Sequence, residues 1–358
     1  MTDLLTHDLR DCCCHLESDK VTERKKNAEK LRSLLSKPAL VALLDKNSDS
    51  RKSGRGLTWD GIFKVIRGHI QKEVESLRNA KSAVSASAQA SRDKKKQDAS
   101  MLFKFFVRVA NKRGPRLKCV EVIHHILTIM EDPFTAKALG MDHCTILMKD
   151  ILSVRTYWSD IDHKLWRELL LLFCRTLLCP PDQFDRTLLA RTLHTLMQGA
   201  SVQCNIRGKN LFRFFTEYMK NARQEKNVAV LEPLVSAMNV FCKTMSADCR
   251  GQICKLGEAT ALGLLYVWNN RPPVQLKEEI IEFFRIQMCA HHPMGAMSEQ
   301  EGEYSHDQDV WKSHLKKLYD AIYNDLEHVG GRSRFTSVTK DSALSPGFVD
   351  LAADVFHQ

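Results

Sequence analysis

Four kinds of residue in this chain have types and spacings that could do chemistry: a charged cluster, two histidine pairs, twelve cysteines and several basic runs. The cluster is Lys20, Glu23 and Arg24. Charges three and four residues apart on a helix face form weak pairs, each contributing about 0.2–0.5 kcal/mol. The same charges facing a partner can instead set register and recognition, or Arg24 can hold the first helix against the second through a partly buried pair with Asp19 or Glu23. His124–His125 and His291–His292 invite a metal. Neighbours on a helix point about 100° apart, however, so neither pair converges on an ion that needs four ligands. The basic runs, Arg24 to Lys26, Lys94 to Lys96, and Arg113 with Arg116 and Lys118, could neutralise phosphates. No aromatic residue is interleaved with them to stack single-stranded bases. They read either as solvated faces and a charged linker or as a groove for a duplex backbone.

Catalytic signatures are missing from the sequence. The nearest approach to a phosphate loop, Gly330-Gly331-Arg332-Ser333, lacks the spacing. Neither His-Arg-Asp nor Asp-Phe-Gly occurs, so nothing is offered to hold Mg²⁺ or orient a hydroxyl for phosphoryl transfer. The segment is expected to be non-enzymatic, with no catalytic residue, cofactor or metal of its own.

The elements that must position these residues read as helix after helix. In the first, Leu5, Leu9, Cys12 and Leu16 step by four, three and four along one face. A second would bury Val21, Ala28, Leu31 and Leu35 and leave Lys20, Glu23, Arg24, Lys25 and Lys26 at its polar start. The clearest stripe is Trp59, Ile62, Phe63, Ile66, Ile70, Val74 and Leu77, with Thr58 placed to cap it. Similar stripes recur to Leu326, and prolines fall between them, where a missing N–H does no harm. Pro233 is the exception, expected in the first turn of its helix. About fourteen helices give one pair per 40–47 residues, the period of HEAT or armadillo arrays. The predicted fold is all-α, a HEAT/armadillo-like solenoid of antiparallel helix pairs. Polar stretches at 46–56, 79–98, 293–306 and 328–345 read as loops, the second as a long flexible connection.

Bulk properties set the outer bounds. Lys and Arg number 53 against 43 Asp and Glu, a surplus of +10 that favours weak attraction to acidic partners. No apolar run approaches the roughly 20 residues needed to span a bilayer. The polar start at Thr2 and Asp3 predicts no secretory signal. Cys12, Cys13 and Cys14 are consecutive, and Cys119, Cys144, Cys174, Cys242 and Cys289 lie in apolar helical stretches. Reduced, buried thiols of a nuclear or cytosolic protein are therefore predicted.

The charged entry to the second helix resembles the N-terminal (TAN) motif of the ATM-type kinases. There an aliphatic residue is followed at fixed spacing by a basic residue, an acidic one and an arginine. Leu16, Lys20, Glu23 and Arg24 match, and Ala28 stands where a bulkier aliphatic is usual. KVTERKK (20–26), LTWDGIF (57–63), VSASAQASR (84–92), RGPRLKC (113–119), KDILSVRTYW (149–158), NARQEKN (221–227) and HHPMGA (291–296) also look like this family in its vertebrate form.

The resemblance implies a motif region over 1–165 and continuing HEAT-like repeats over 166–358, one solenoid with a linker at about 79–98. It implies that Leu16, Lys20, Glu23 and Arg24 form a protein-docking site in a non-catalytic scaffold. That scaffold would serve double-strand-break signalling, cell-cycle checkpoints and telomere maintenance. The implied partners are the nibrin-type subunit of the break-sensing complex and the rest of the kinase chain, with weak DNA contact, no membrane and a homodimeric parent. ATP and Mg²⁺ would belong to the parent's Ser/Thr kinase domain. The implied location is nuclear, with some cytoplasmic protein. Two other readings stay open: a free-standing HEAT-type adaptor for acidic peptides, and a binder of the duplex DNA backbone.

Overall fold

The computed structural model describes residues 2–49, 57–79, 101–110, 118–132, 135–136, 141–179, 185–203, 209–225, 227–245 and 250–291, with scattered helical residues between 313 and 324. Among the described residues the chain is helical and contains no strand. The helices are α1 (Thr2–Leu16), α2 (Val21–Leu35), α3 (Pro38–Asp49), α4 (Trp59–Asn79), α5 (101–110), α6 (Cys119–Glu131) and α7 (Met141–Leu152). They continue with α8 (His163–Leu178), α9 (Arg186–Gln203), α10 (Lys209–Lys220), α11 (Val228–Thr244), α12 (Arg250–Asn269) and α13 (Val274–His291). Two compact units divide the chain, Met1–Leu165 and Trp166–Gln358. The fold class is all-α, with solenoid-like packing of successive helices.

In the first unit α1 packs on α2, and both touch α3; α4 packs on α1 and α3. The stripe on α4 is buried as its spacing predicts, with Trp59, Ile62, Phe63, Ile66, Ile70 and Val74 all turned inward. Thr58 caps α4, its hydroxyl accepting from the Gly61 N–H at 3.1 Å. Aromatic rings from α5 complete this core: Phe106 lies 5.7 Å from Trp59 and Phe103 lies 6.2 Å from Phe63. The Trp59 indole N–H, too buried for water, donates to Asp45 at 2.9 Å.

The second unit has two rows. In one, α9 packs on α11 and α11 on α13; in the other, α10 packs on α12; α12 also meets α13. This alternation is how stacked helix pairs share one core, each pair contacting its neighbours. Polar ties cross it. The Asn239 amide donates to the carbonyl and carboxylate of Glu279, linking α11 to α13. Arg186 at the start of α9, Tyr218 near the end of α10 and Glu225 form a hydrogen-bonded knot.

Three sequence expectations change here. Pro233 lies in the interior of α11, five residues past its start, because Asn227 caps the helix earlier by accepting from the Ala229 N–H at 3.2 Å. The polar stretch at 46–56 begins as helix, since α3 runs to Asp49. Its last turn is put to use: Asn47 donates to the Leu57 carbonyl and Ser48 accepts from the Trp59 N–H, fixing the entry to α4. Cys289 is exposed, rotated away from its buried neighbours Met288 and Ala290. Residues 50–56, 80–98, 293–306 and 328–345 lie outside the described residues. No helix among the described residues is long and apolar enough to cross a membrane.

Candidate functional site

Four residues, Glu17 to Lys20, connect α1 to α2. Lys20 occupies the cap position of α2 in an extended conformation and makes no side-chain cap, having no oxygen to offer. Ser18 supplies one instead. Its hydroxyl accepts from the Lys20 N–H at 3.2 Å and donates to Glu23 at 2.8 Å. The Lys20 ammonium reaches the other Glu23 oxygen at 3.0 Å. Glu23 sits in the first turn of α2, where a negative charge is favoured by the unsatisfied N–H groups. The Ser18 hydroxyl, and after it Lys20, hold the Glu23 carboxyl below its ordinary range.

Arg24 turns the other way. It is 3% exposed, and its Nε donates to Glu73 on α4 at 2.6 Å, a carboxylate whose side chain is 8% exposed. Nη1 donates to the carbonyls of Ser18 and Asp19 at 2.8 and 3.0 Å. One turn earlier on α4, the buried His69 lies with Nδ1 3.2 Å from the Leu16 carbonyl. A carbonyl can only accept, so the proton is on Nδ1. Burial lowers the His69 pKa, and the Glu73 charge works against that. Lys72, between them in sequence, donates to the exposed Asp19 at 2.8 Å. Three residues of α4 thus grip the α1–α2 turn.

The four motif residues therefore do not form one surface. Lys20 and Glu23 face solvent, with side chains 76% and 38% exposed. Leu16 is fully buried and Arg24 nearly so. The expectation that Arg24 belongs to the polar, solvated start of α2 is corrected, as is the full burial of Val21, which is only half-buried. The physical reason is that a buried guanidinium is tolerated when a carboxylate and carbonyls replace its water. Glu73 of α4 does so at Nε and the Ser18 and Asp19 carbonyls do so at Nη1, with Nη2 left without a hydrogen-bond partner among the described residues. A signal for this was present: Arg24, Ala28, Leu31 and Leu35 step by four, three and four, so Arg24 lies on the apolar stripe. Glu73 and His69, three residues after Ile70 and Ile66, share the α4 stripe in the same way and were not singled out.

Farther along α2, an open cleft of about 260 Å³ is lined by Glu29, Arg32, Ser33, Ser36 and Phe105, with the Arg32 guanidinium 5.7 Å from the Phe105 ring centre. His124 is exposed whereas His125 is buried against Phe63 and Phe103, so the pair diverges. Burial brings the His125 pKa down to about 4. Among the described residues, no group of three or more His, Cys, Asp or Glu is placed to hold a metal ion. Lys25 and Lys26 are exposed, and Lys118 lies 3.7 Å from Glu121. Lys94 to Lys96, Arg113, Arg116, His292 and the stretch 330–333 lie outside the described residues.

Comparison with known proteins places this turn inside a recognised region. Residues 9–167 match the TAN family, described as telomere-length maintenance and DNA damage repair. The chain is 41% identical over 356 residues to the serine-protein kinase ATM of Sus scrofa. That match covers 99% of the chain and 12% of the length of the relative.

Proposed function

The chain matches an N-terminal segment of an ATM-type serine-protein kinase and carries the TAN region at residues 9–167, and from that premise we propose that it is the kinase's non-catalytic docking scaffold. Its role is to bring the enzyme to DNA double-strand breaks and telomeres in the nucleus, and so to feed checkpoint signalling. The observation that supports this best is similarity along 99% of the chain, which includes the motif turn and the helices that hold it.

On this reading the partner is the nibrin-type subunit of the break-sensing complex, touching the exposed Lys20 and Glu23. ATP, Mg²⁺ and phosphoryl transfer belong to a kinase domain elsewhere in a longer, homodimeric chain. The surplus of +10 supports a weak duplex-backbone contact alongside that role, one whose affinity falls steeply with salt.

The test is made in the full-length kinase carrying Lys20→Glu with Glu23→Lys. The reversed pair can still bond to itself, and exposed pairs contribute little to folding. The pattern facing a partner is therefore inverted at a small cost, chiefly the Ser18–Glu23 hydrogen bond and the negative charge in the first turn. Recruitment to breaks and co-precipitation of the nibrin-type subunit should fall, with activity on a soluble peptide retained. Normal recruitment by this variant removes the docking role from these two residues.

A further inference from the structure

We infer that the motif divides its work: Arg24, with Glu73 and His69, positions the α1–α2 turn, and only Lys20 and Glu23 are touched by a partner. This deepens the docking reading and rests on it. Three backbone acceptors at the turn, the carbonyls of Leu16 at the end of α1 and of Ser18 and Asp19, are taken up by His69 and Arg24. A guanidinium 3% exposed and engaged with Glu73 cannot reach a partner unless the turn opens. Glu73 lies 49 residues away in sequence and on another helix, so the turn is held by tertiary structure. Lys20 and Glu23 are tied to that turn through Ser18 and to each other. Their placement in space therefore depends on whether Arg24 and Glu73 are engaged. The motif extends to α4, and Arg24 and Glu73 are positioning residues for a surface to which neither contributes an exposed group.

A double-variant cycle in the full-length kinase tests this, with amide hydrogen exchange and capture of the nibrin-type subunit measured on each protein. Glu73→Gln is isosteric and can still accept from Arg24 Nε, so it retains the fold while weakening the grip. It should speed exchange at residues 17–20, and not across α6 and α7, and weaken capture about fivefold or more. Arg24→Gln should do the same. The double variant should be no worse than Arg24→Gln alone, because both residues act through one turn and contacting groups are non-additive. Lys20→Glu with Glu23→Lys should lose capture while speeding exchange at the turn less than Arg24→Gln does, because it gives up the Ser18–Glu23 hydrogen bond and leaves the His69 and Arg24 bonds to the turn in place. Normal capture by Glu73→Gln overturns the inference, as does capture lost with Arg24→Gln while exchange at the turn stays slow. Capture retained by the Lys20/Glu23 variant instead overturns the docking reading, and exchange at the turn still reports the positioning role separately.

Discussion

Arg24 shows how a residue's chemistry depends on what surrounds it. On an exposed helix start it would form weak pairs; here its ion pair with Glu73 is enclosed. Removing one partner of such a pair strands the other charge, at a cost of about 3–5 kcal/mol. Arg24→Ala and Glu73→Ala should each lower the stability of the first unit by that order, measured by denaturant unfolding, whereas Lys20→Ala should shift it by under about 0.5 kcal/mol. His125 gives a pH dependence. Its folded pKa of about 4 lies below the ordinary 6.5, so the unfolded chain binds more protons between those values. Stability is fully present above pH 6.5 and falls as pH is lowered through the window. At 1.36 kcal/mol for each pH unit of the difference, the loss approaches about 3 kcal/mol. His125→Phe, which keeps a ring between Phe63 and Phe103, should flatten that part of the pH–stability curve. An unchanged slope between pH 4 and 6.5 would show that His125 is not its source.

At the scale of elements, α4 organises the first unit. Its stripe fills the core, its cap is fixed by Thr58, and its last turns hold the α1–α2 connection. Thr58→Ala removes the acceptor for the Gly61 N–H and should cost about 1 kcal/mol. Because α4 positions the motif, the same substitution should also speed amide exchange at residues 17–20. In the second unit the corresponding dependence is steric. A Cβ on Gly263 of α12 would lie 2.3 Å from the Met219 carbonyl oxygen of α10, a backbone atom that cannot swing aside. Gly263→Ala should force the two helices apart and cost about 1–3 kcal/mol. A melting temperature equal to that of the parent chain would refute this close approach.

For the whole molecule, contacts concentrate within Met1–Leu165 and within Trp166–Gln358. Cooperative unfolding follows such contact density, so the chain should not melt as a single two-state system. Thermal scans should resolve two transitions. Glu73→Ala should move one of them and Gly263→Ala the other. A single transition shifted equally by both would mean that the units fold as one.

Much of this protein was determined by sequence alone. The stripes on α1 and α4, the cap at Thr58 and the all-α fold follow from local periodicity and local chemistry, which a linear pattern records. The charged motif was also legible, as residue types at fixed spacing. Which of its charges faces water was decided only by tertiary structure. Arg24 has the same covalent neighbours whether exposed or buried, and what turns it inward is a carboxylate 49 residues away on α4. Pro233 and Cys289 differ from expectation for local reasons instead: the cap at Asn227 starts α11 earlier, and helical rotation carries Cys289 off the face that buries Met288 and Ala290. Hydrophobic periodicity tells which face of a helix is inside. The desolvation of a particular charge depends on which distant groups arrive to replace its water, and no local spacing encodes that.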